Sequence, residues 1–211
     1  MRDFLQDRIR LVRELLGPGT PDVSYADLVL ILSAVISASA ALRWPGRSID
    51  RQRFVELLVR ESPEEYHLSW ISVPALIDMG YVSESDTAYG KPGQSTRIFQ
   101  DEEIDCTYAD ARNTYAALLP KTLKQCSYAA LIYEWLRCGY AHEYSPHKNI
   151  THVPASRHDA RISYIGRGTP QGVTRMISFH LDYMIRIAEY HATNAAETPE
   201  QLPPEWWAEI A

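Results

Sequence analysis

What the chain has little of narrows it first. Only three cysteines, Cys106, Cys126 and Cys138, stand among 211 residues. An odd number with no C-x-x-C pair argues against a disulfide framework and favours a reducing compartment. Positive charge is short as well: 21 Lys and Arg against 27 Asp and Glu leave a net charge of −6. A chain of that balance is no generic polyanion binder, so any nucleic-acid surface must be local. There is no P-loop, because GKPG with its neighbours Asp86 and Ser95 does not supply G-x-x-x-x-G-K-[ST]. The opening MRDFLQDRIRLVRELL alternates charge with apolar residues and lacks a signal-peptide run. The most apolar stretch, Leu28 to Leu42, holds three serines and falls short of the ~20 residues a bilayer span requires. A cytoplasmic protein without a membrane role is the expectation.

What is present describes one globular domain over residues 1–211, with 45% hydrophobic and 23% charged residues. Phe4, Ile9, Leu11, Val12, Leu15 and Leu16 recur at helical spacing until GPGTP stops them. Ser24 and Asp27 form a capping-box pattern opening a second helix, apolar nearly all round and therefore central. Trp44 to Gly46 end it, and Ser48 opens a third. Ser62-Pro63-Glu64-Glu65 reads as another helix start, broken or restarted at Pro74. Residues 1–82 thus form N-terminal helices, and the polar stretch 83–104 a long loop.

Helix resumes near Asp105 and again after Pro120, where KTLKQCSYAALIYEWLRCGYA has the longest helical pattern of the second half. NITHVPASRHDARISYIGRG has β-branched residues on both sides of a polar turn, which predicts a short hairpin. A final long helix is expected from Thr169, carrying Val173, Met176, Ile177, Phe179, Leu181, Met184, Ile185 and Ile187. It completes a second-half core over 105–195, followed by an aromatic tail over 196–211. Trp206 and Trp207 there are expected to cover apolar surface, at a dimer interface among other places. The fold class is an all-α bundle with one small β excursion before the last helix.

Charge is unevenly placed. Between Arg137 and His180 stand Arg137, Lys148, Arg157, Arg161, Arg167 and Arg175 against Glu143 and Asp159, a surplus of four cations in an acidic chain. His142, His147, His152, His158 and His180 share the segment with Tyr140, Tyr144 and Tyr164. Cations, histidines and stackable rings suit a single-stranded nucleic acid; a solvated hairpin with its charges facing water is the plainer alternative.

Within EWLRCGYAHEYSPHKN, Arg137 and His142 stand five residues apart where the helix is expected to end. On an ideal helix that offset turns the second side chain by about 140° and advances it about 7.5 Å. Gly139 between them, weakening a helix by about 1 kcal/mol relative to alanine, is expected to bend or end it and let His142 swing beside Arg137. Histidine exchanges protons near neutrality, and the arginine fork matches two phosphate oxygens. Cleavage of RNA by its own 2′-hydroxyl needs those two services and no metal or cofactor.

At these residues the sequence resembles the HEPN domain superfamily, whose mark is Arg-x4–6-His near the end of a long helix in a small α-helical bundle. RCGYAH fits that spacing, and Glu143 after the histidine is a frequent companion there. The resemblance covers the second half of the chain. It implies an all-α HEPN-like fold, a homodimer or pseudo-dimer whose two motifs meet at one cleft, and often metal-independent endoribonuclease activity in toxins, phage-defence effectors or RNA-processing factors, some members being inactive binding or dimerisation modules. Arg137 would then hold the scissile phosphate and His142 act in proton transfer or transition-state stabilisation. Cys138 and Glu143 would shape the site, while Lys148, Arg157, Arg161 and Arg167 guide the RNA. The position after the arginine is often Asn, Asp or His in active members; here it is Cys138, and a thiol does not supply the same polar contact.

Competing readings are a helix end at which Arg137 and His142 cap carbonyls or pair with Glu134 and Glu143, a Cys138–His142 nucleophile, and a metal site from the evenly spaced histidines, which lacks the partners of a zinc motif. At the level of function, the rival is a non-catalytic helical module that dimerises or binds a partner protein such as an antitoxin or a defence-complex component.

Overall fold

The most apolar sequence becomes the central helix. α2 (Tyr25–Arg43) buries one broad face, with Leu28, Val29, Leu32, Val35, Ile36 and Ala40 on it, and leaves Ala34 exposed on the other. Its start is the expected capping box: the Ser24 side chain accepts from the Asp27 N–H and the Asp27 carboxylate accepts from the Ser24 N–H. Against it pack α1 (Arg2–Leu15), α3 (Asp50–Arg60) and the last helix, α10 (Leu181–Thr193). This computed structural model describes residues 1–17, 23–84, 87, 98–151, 161–169 and 172–209. At 19 residues α2 is longer than the sequence pattern indicates, long and apolar enough to cross a membrane; it is its packing among α1, α3 and α10 that makes it a core helix. The N-terminal helices and α10 therefore share one core, and the chain is not split between its halves.

Several elements fall elsewhere than the sequence pattern places them. Ser48 lies at φ 60°, and α3 begins only at Asp50. Ser62–Glu65 yields a single 3-10 turn, Glu64–Tyr66, because His67 adopts the left-handed conformation at φ 55° and stacks on Trp70, 3.9 Å between ring centroids. The chain then runs extended to the Ser72 cap of α4 (Val73–Asp78), which starts, rather than breaks, around Pro74. Inside the expected loop 83–104 lie a short strand, β1 (Phe99–Gln100), and a one-turn helix, α5 (Asp101–Ile104). Asp86, Ser95 and the GKPG stretch lie outside the described residues.

The helical pattern after Asp105 is also subdivided, into α6 (Tyr108–Thr114), α7 (Pro120–Gln125) and α8 (Tyr128–Leu131). What breaks α7 from α8 is the segment 68–72, which leaves a turn at Leu68–Ser69 to pair with the junction. Ser72 N–H donates to the Cys126 carbonyl, while the Tyr128 and Ala129 N–H groups donate to the Trp70 and Leu68 carbonyls. Helix restarts only because the Ser127 hydroxyl accepts from the Ala130 N–H.

The largest correction concerns the β excursion. It is no short hairpin ahead of a helix from Thr169: β2 (Ile162–Thr169) pairs antiparallel with β3 (Gly172–Phe179), and β1 joins the other edge of β2 in a three-stranded sheet. Residues 172–179 are strand, and α10 begins at Leu181. Val173, Met176 and Ile177 match helical spacing, but Arg175, Ile177 and Phe179 alternate inward and are buried, the period of a strand. The fold is mainly α with this sheet packed on one side.

Sheet and helices meet at one buried carboxyl group. Asp105 accepts from the Val73 N–H (2.9 Å), from the Tyr128 hydroxyl (2.5 Å) and from the Tyr164 hydroxyl of β2, whose oxygen stands 3.0 Å from Ser72 Oγ. Burial outweighs these donors and raises the Asp105 pKa to about 7. Near Asn194, His191 is buried with Nε2 2.8 Å from Ser62 Oγ, and burial lowers its pKa to about 3.

These two groups drive stability in opposite directions with pH. Asp105 titrates near 4 when unfolded, so between about pH 4 and 7 the folded state holds an extra proton and stability falls as pH rises. His191 lacks a proton in the folded state between about pH 3 and 6.5, so stability rises with pH there. Thermal unfolding between about pH 4 and 6.5 should therefore show a more positive slope for Asp105→Asn than for wild type and a more negative one for His191→Gln. Identical slopes in all three proteins would contradict the assignment.

Candidate functional site

From Tyr128 the chain stays helical to Glu143, but not as one uniform α-helix. α8 passes into a π-helical segment, Ile132–Cys138, and then into α9 (Gly139–Glu143). A π turn closes i→i+5 bonds and sets residue i+5 over residue i. Here that brings Cys138 beside Tyr133; burial first, and the neighbouring thiol second, push the Tyr133 hydroxyl above its ordinary pKa. Tyr133 is buried and packs edge-on against Phe54 of α3, 5.2 Å between centroids.

Arg137 is half-buried on this turn. Its guanidinium lies over the Tyr133 ring, 5.2 Å from the centroid, and Nη1 stands 3.8 Å from Cys138 Sγ. No carboxylate among the described residues pairs with it. Glu134, a partner expected if the motif were a plain helix end, is instead 2.5 Å from Arg51 of α3. His142 and Glu143 are exposed near the end of α9, which Tyr144 closes in the left-handed conformation at φ 49°.

Gly139 does not bend or end the helix, as the sequence leads one to expect; its φ of −56° and ψ of −54° are helical. It is there for space. A Cβ at 139 would stand 2.7 Å from the Ser145 carbonyl oxygen and 3.2 Å from Pro146 Cα. The chain folds back across this gap: the His147 N–H donates to the Trp135 carbonyl (3.1 Å), and the two rings stack at 4.4 Å. With no bend, the offset between Arg137 and His142 is not relaxed by Gly139, and no hydrogen bond joins the two. On α geometry Cys138 lies between them around the helix.

The other face of the run is anchored to α2. Tyr140 packs edge-on against Tyr25 at 6.3 Å, and the Tyr144 hydroxyl donates to Asp27. The Tyr25 hydroxyl donates to the Phe179 carbonyl at 2.6 Å. Trp206 and Trp207, expected to cover apolar surface, do so within the chain, edge-on to Trp44 and Tyr108 at 5.8 and 5.9 Å.

The basic segment does not gather around the motif. Arg161 is bound to Asp101 (2.7 Å) and Glu102, so its charge is already met. Arg175 is buried over the Phe99 ring at 5.0 Å. Lys148 is exposed beside Asn149, whose side-chain amide donates to Asp78 at 3.0 Å; burial raises the Asp78 carboxyl to about 7, against the pull of Lys148. Arg157, His152 and His158 lie outside the described residues, as does the side chain of Arg167. His180 is buried with Nε2 2.7 Å from Ser163 Oγ. Cavities of about 240, 270 and 450 Å³ are lined by residues of α1–α3 and α10 and their ends, and include neither Arg137 nor His142.

Sequence reasoning missed Tyr133 and Arg51. Tyr133 stands four residues before Arg137, a spacing readable as a helical pair; Arg51 comes from α3 and left no local signal. Comparison with family models, with curated proteins and with solved structures returns no match.

Gly139→Ala is expected to lower stability by about 1–3 kcal/mol, because the added methyl meets backbone rather than a movable side chain. Denaturant unfolding, with the ring-current shift of His147 as a local reporter, checks both the loss and its place.

Proposed function

We propose that the chain is a HEPN-type endoribonuclease that cleaves single-stranded RNA by 2′-hydroxyl attack without a metal, acting as a homodimer in the cytoplasm, in a toxin or phage-defence setting. The observation that carries this reading is Arg137: a half-buried guanidinium held by a ring and a thiol, with no carboxylate among the described residues claiming its charge, on the same helical run as exposed His142. A partly desolvated arginine of that kind is a receptor for a phosphate oxygen pair. His142, open to solvent, is free to take the 2′-hydroxyl proton or deliver one to the leaving 5′-oxygen. Cys138 lies between them, and Glu143 follows the histidine. One Arg–His pair with a helical rise of about 7.5 Å between its members is a small constellation, and a second copy in a dimer supplies another pair. Lys148, Arg157 and Arg167 would guide the RNA; Arg161 would first have to leave Asp101 and Glu102.

That last point favours the second reading, a non-catalytic module that dimerises or binds an antitoxin or defence-complex protein: much of the positive charge near the motif is committed inside the fold. Incubation of labelled single-stranded RNA in EDTA separates the two. The expected outcome is cleavage leaving 2′,3′-cyclic phosphate ends, reduced about 100-fold or more in Arg137→Ala and His142→Ala proteins that remain folded. Intact RNA after incubation with folded wild-type dimer would leave the binding module.

A further inference from the structure

A guanidinium at the end of three rotatable carbons is a poor phosphate receptor unless something fixes its plane. Carboxylates fix other arginines of this chain. Arg43 is held between Glu61 (2.7 Å) and Glu200 (2.9 Å), and Arg161 between Asp101 and Glu102. Such pairing orients the fork but cancels its charge. Arg137 is oriented differently, by the face of Tyr133 at 5.2 Å and the Cys138 sulfur at 3.8 Å. A ring attracts the cation through its quadrupole and occupies no N–H donor. Tyr133 itself is fixed: Phe54 packs on it from α3, and the π turn sets Cys138 at its hydroxyl.

We infer that Tyr133 is the positioning residue of this site, its ring holding the Arg137 guanidinium in place for a phosphodiester while leaving the charge uncancelled. The inference rests on the ribonuclease reading and adds a residue to it. It also gives the π-helical segment a purpose, since an i+5 contact between Tyr133 and Cys138 belongs to a π turn rather than an α turn. Tyr133 touches no substrate atom; it acts through Arg137. What matters is therefore the aromatic face, and the hydroxyl is secondary.

The test compares Tyr133→Phe, which keeps the face, with Tyr133→Leu, which removes it, by kcat/KM on labelled single-stranded RNA. Leu5→Ala, a buried α1 position, serves as a control for general destabilisation, all at a temperature where each protein is folded. Tyr133→Phe is expected within about threefold of wild type and Tyr133→Leu about 10- to 100-fold lower, with Leu5→Ala unaffected. In an Arg137→Ala background, Tyr133→Leu should add no further loss, because the residue it positions is gone. The Arg137 side-chain protons should carry an upfield ring-current shift in wild type and Tyr133→Phe that disappears in Tyr133→Leu. Full activity in folded Tyr133→Leu, or a loss that adds to that of Arg137→Ala, overturns the positioning role while leaving the ribonuclease standing. Wild type that neither binds nor cuts RNA removes the ribonuclease reading and this role together, and absence of the ring-current shift in wild type removes the contact itself.

Discussion

The carboxyl group of Asp105 is where the sheet, the short helices and the motif-bearing run are tied together. An isolated carboxylate withdrawn from water is strongly disfavoured, and this one is tolerated because three donors converge on it: the Val73 N–H at the start of α4, the Tyr128 hydroxyl at the start of α8 and the Tyr164 hydroxyl in β2. Each donor sits on a different element, so the group is satisfied only when all three are assembled. Truncating one partner of such a network strands the rest. Tyr128 is also the first residue of the helical run that ends at Glu143. Its anchorage sets where that run begins and, through it, where the π turn falls.

A second constraint acts at the same place. Residues 68–72 donate and accept across the α7–α8 junction, so that N–H groups an unbroken helix would satisfy internally are met from outside. Relieved of continuity with α7, α8 starts afresh at Ser127 and delivers Tyr133, Arg137 and Cys138 on the side facing α3. The opposite side, through Tyr140 and Tyr144, is held to α2. The motif is thus clamped between the two N-terminal helices α2 and α3.

What the sequence made legible was local. The capping box at Ser24 and the end of α2 near Trp44 depend on residues a few positions apart, and they are where the pattern puts them; on α1 Ile9 and Val12 are buried as expected, but Leu5 is buried in place of Phe4, which is exposed with Leu16. What it hid was tertiary. The strand at 172–179 mimics a helix because Val173, Met176 and Ile177 fit a helical period, and because Arg175 at an inward position disguises the alternation; the Phe99 ring from β1 packs against that cation. Gly172 was the overlooked warning, since glycine weakens a helix interior. Gly139 misled in the opposite sense. It looked like a helix breaker, yet its reason is the backbone of Ser145 and Pro146 lying where a Cβ would be. At the site the Arg–His spacing was readable, whereas the π segment that brings Cys138 to Tyr133 was not.

The contrast among the arginines then decides how the site is to be understood. Arg43, Arg51, Arg53 and Arg161 each meet a carboxylate, and their positive charge is consumed in holding helices, turns and β2 in place. If the Arg137 turn were merely another structural corner, the same solution lay at hand, because Glu134 stands three residues away, within helical reach. The fold sends Glu134 to Arg51 instead and gives Arg137 an aromatic face. A guanidinium is weakly hydrated for an ion, so half-burying it against a ring is tolerable, but the arrangement leaves its charge unanswered where the four others are answered. On the ribonuclease proposed above, a cation kept oriented without being neutralised would receive the phosphodiester of RNA, the anion for which the neighbouring histidine would add chemistry.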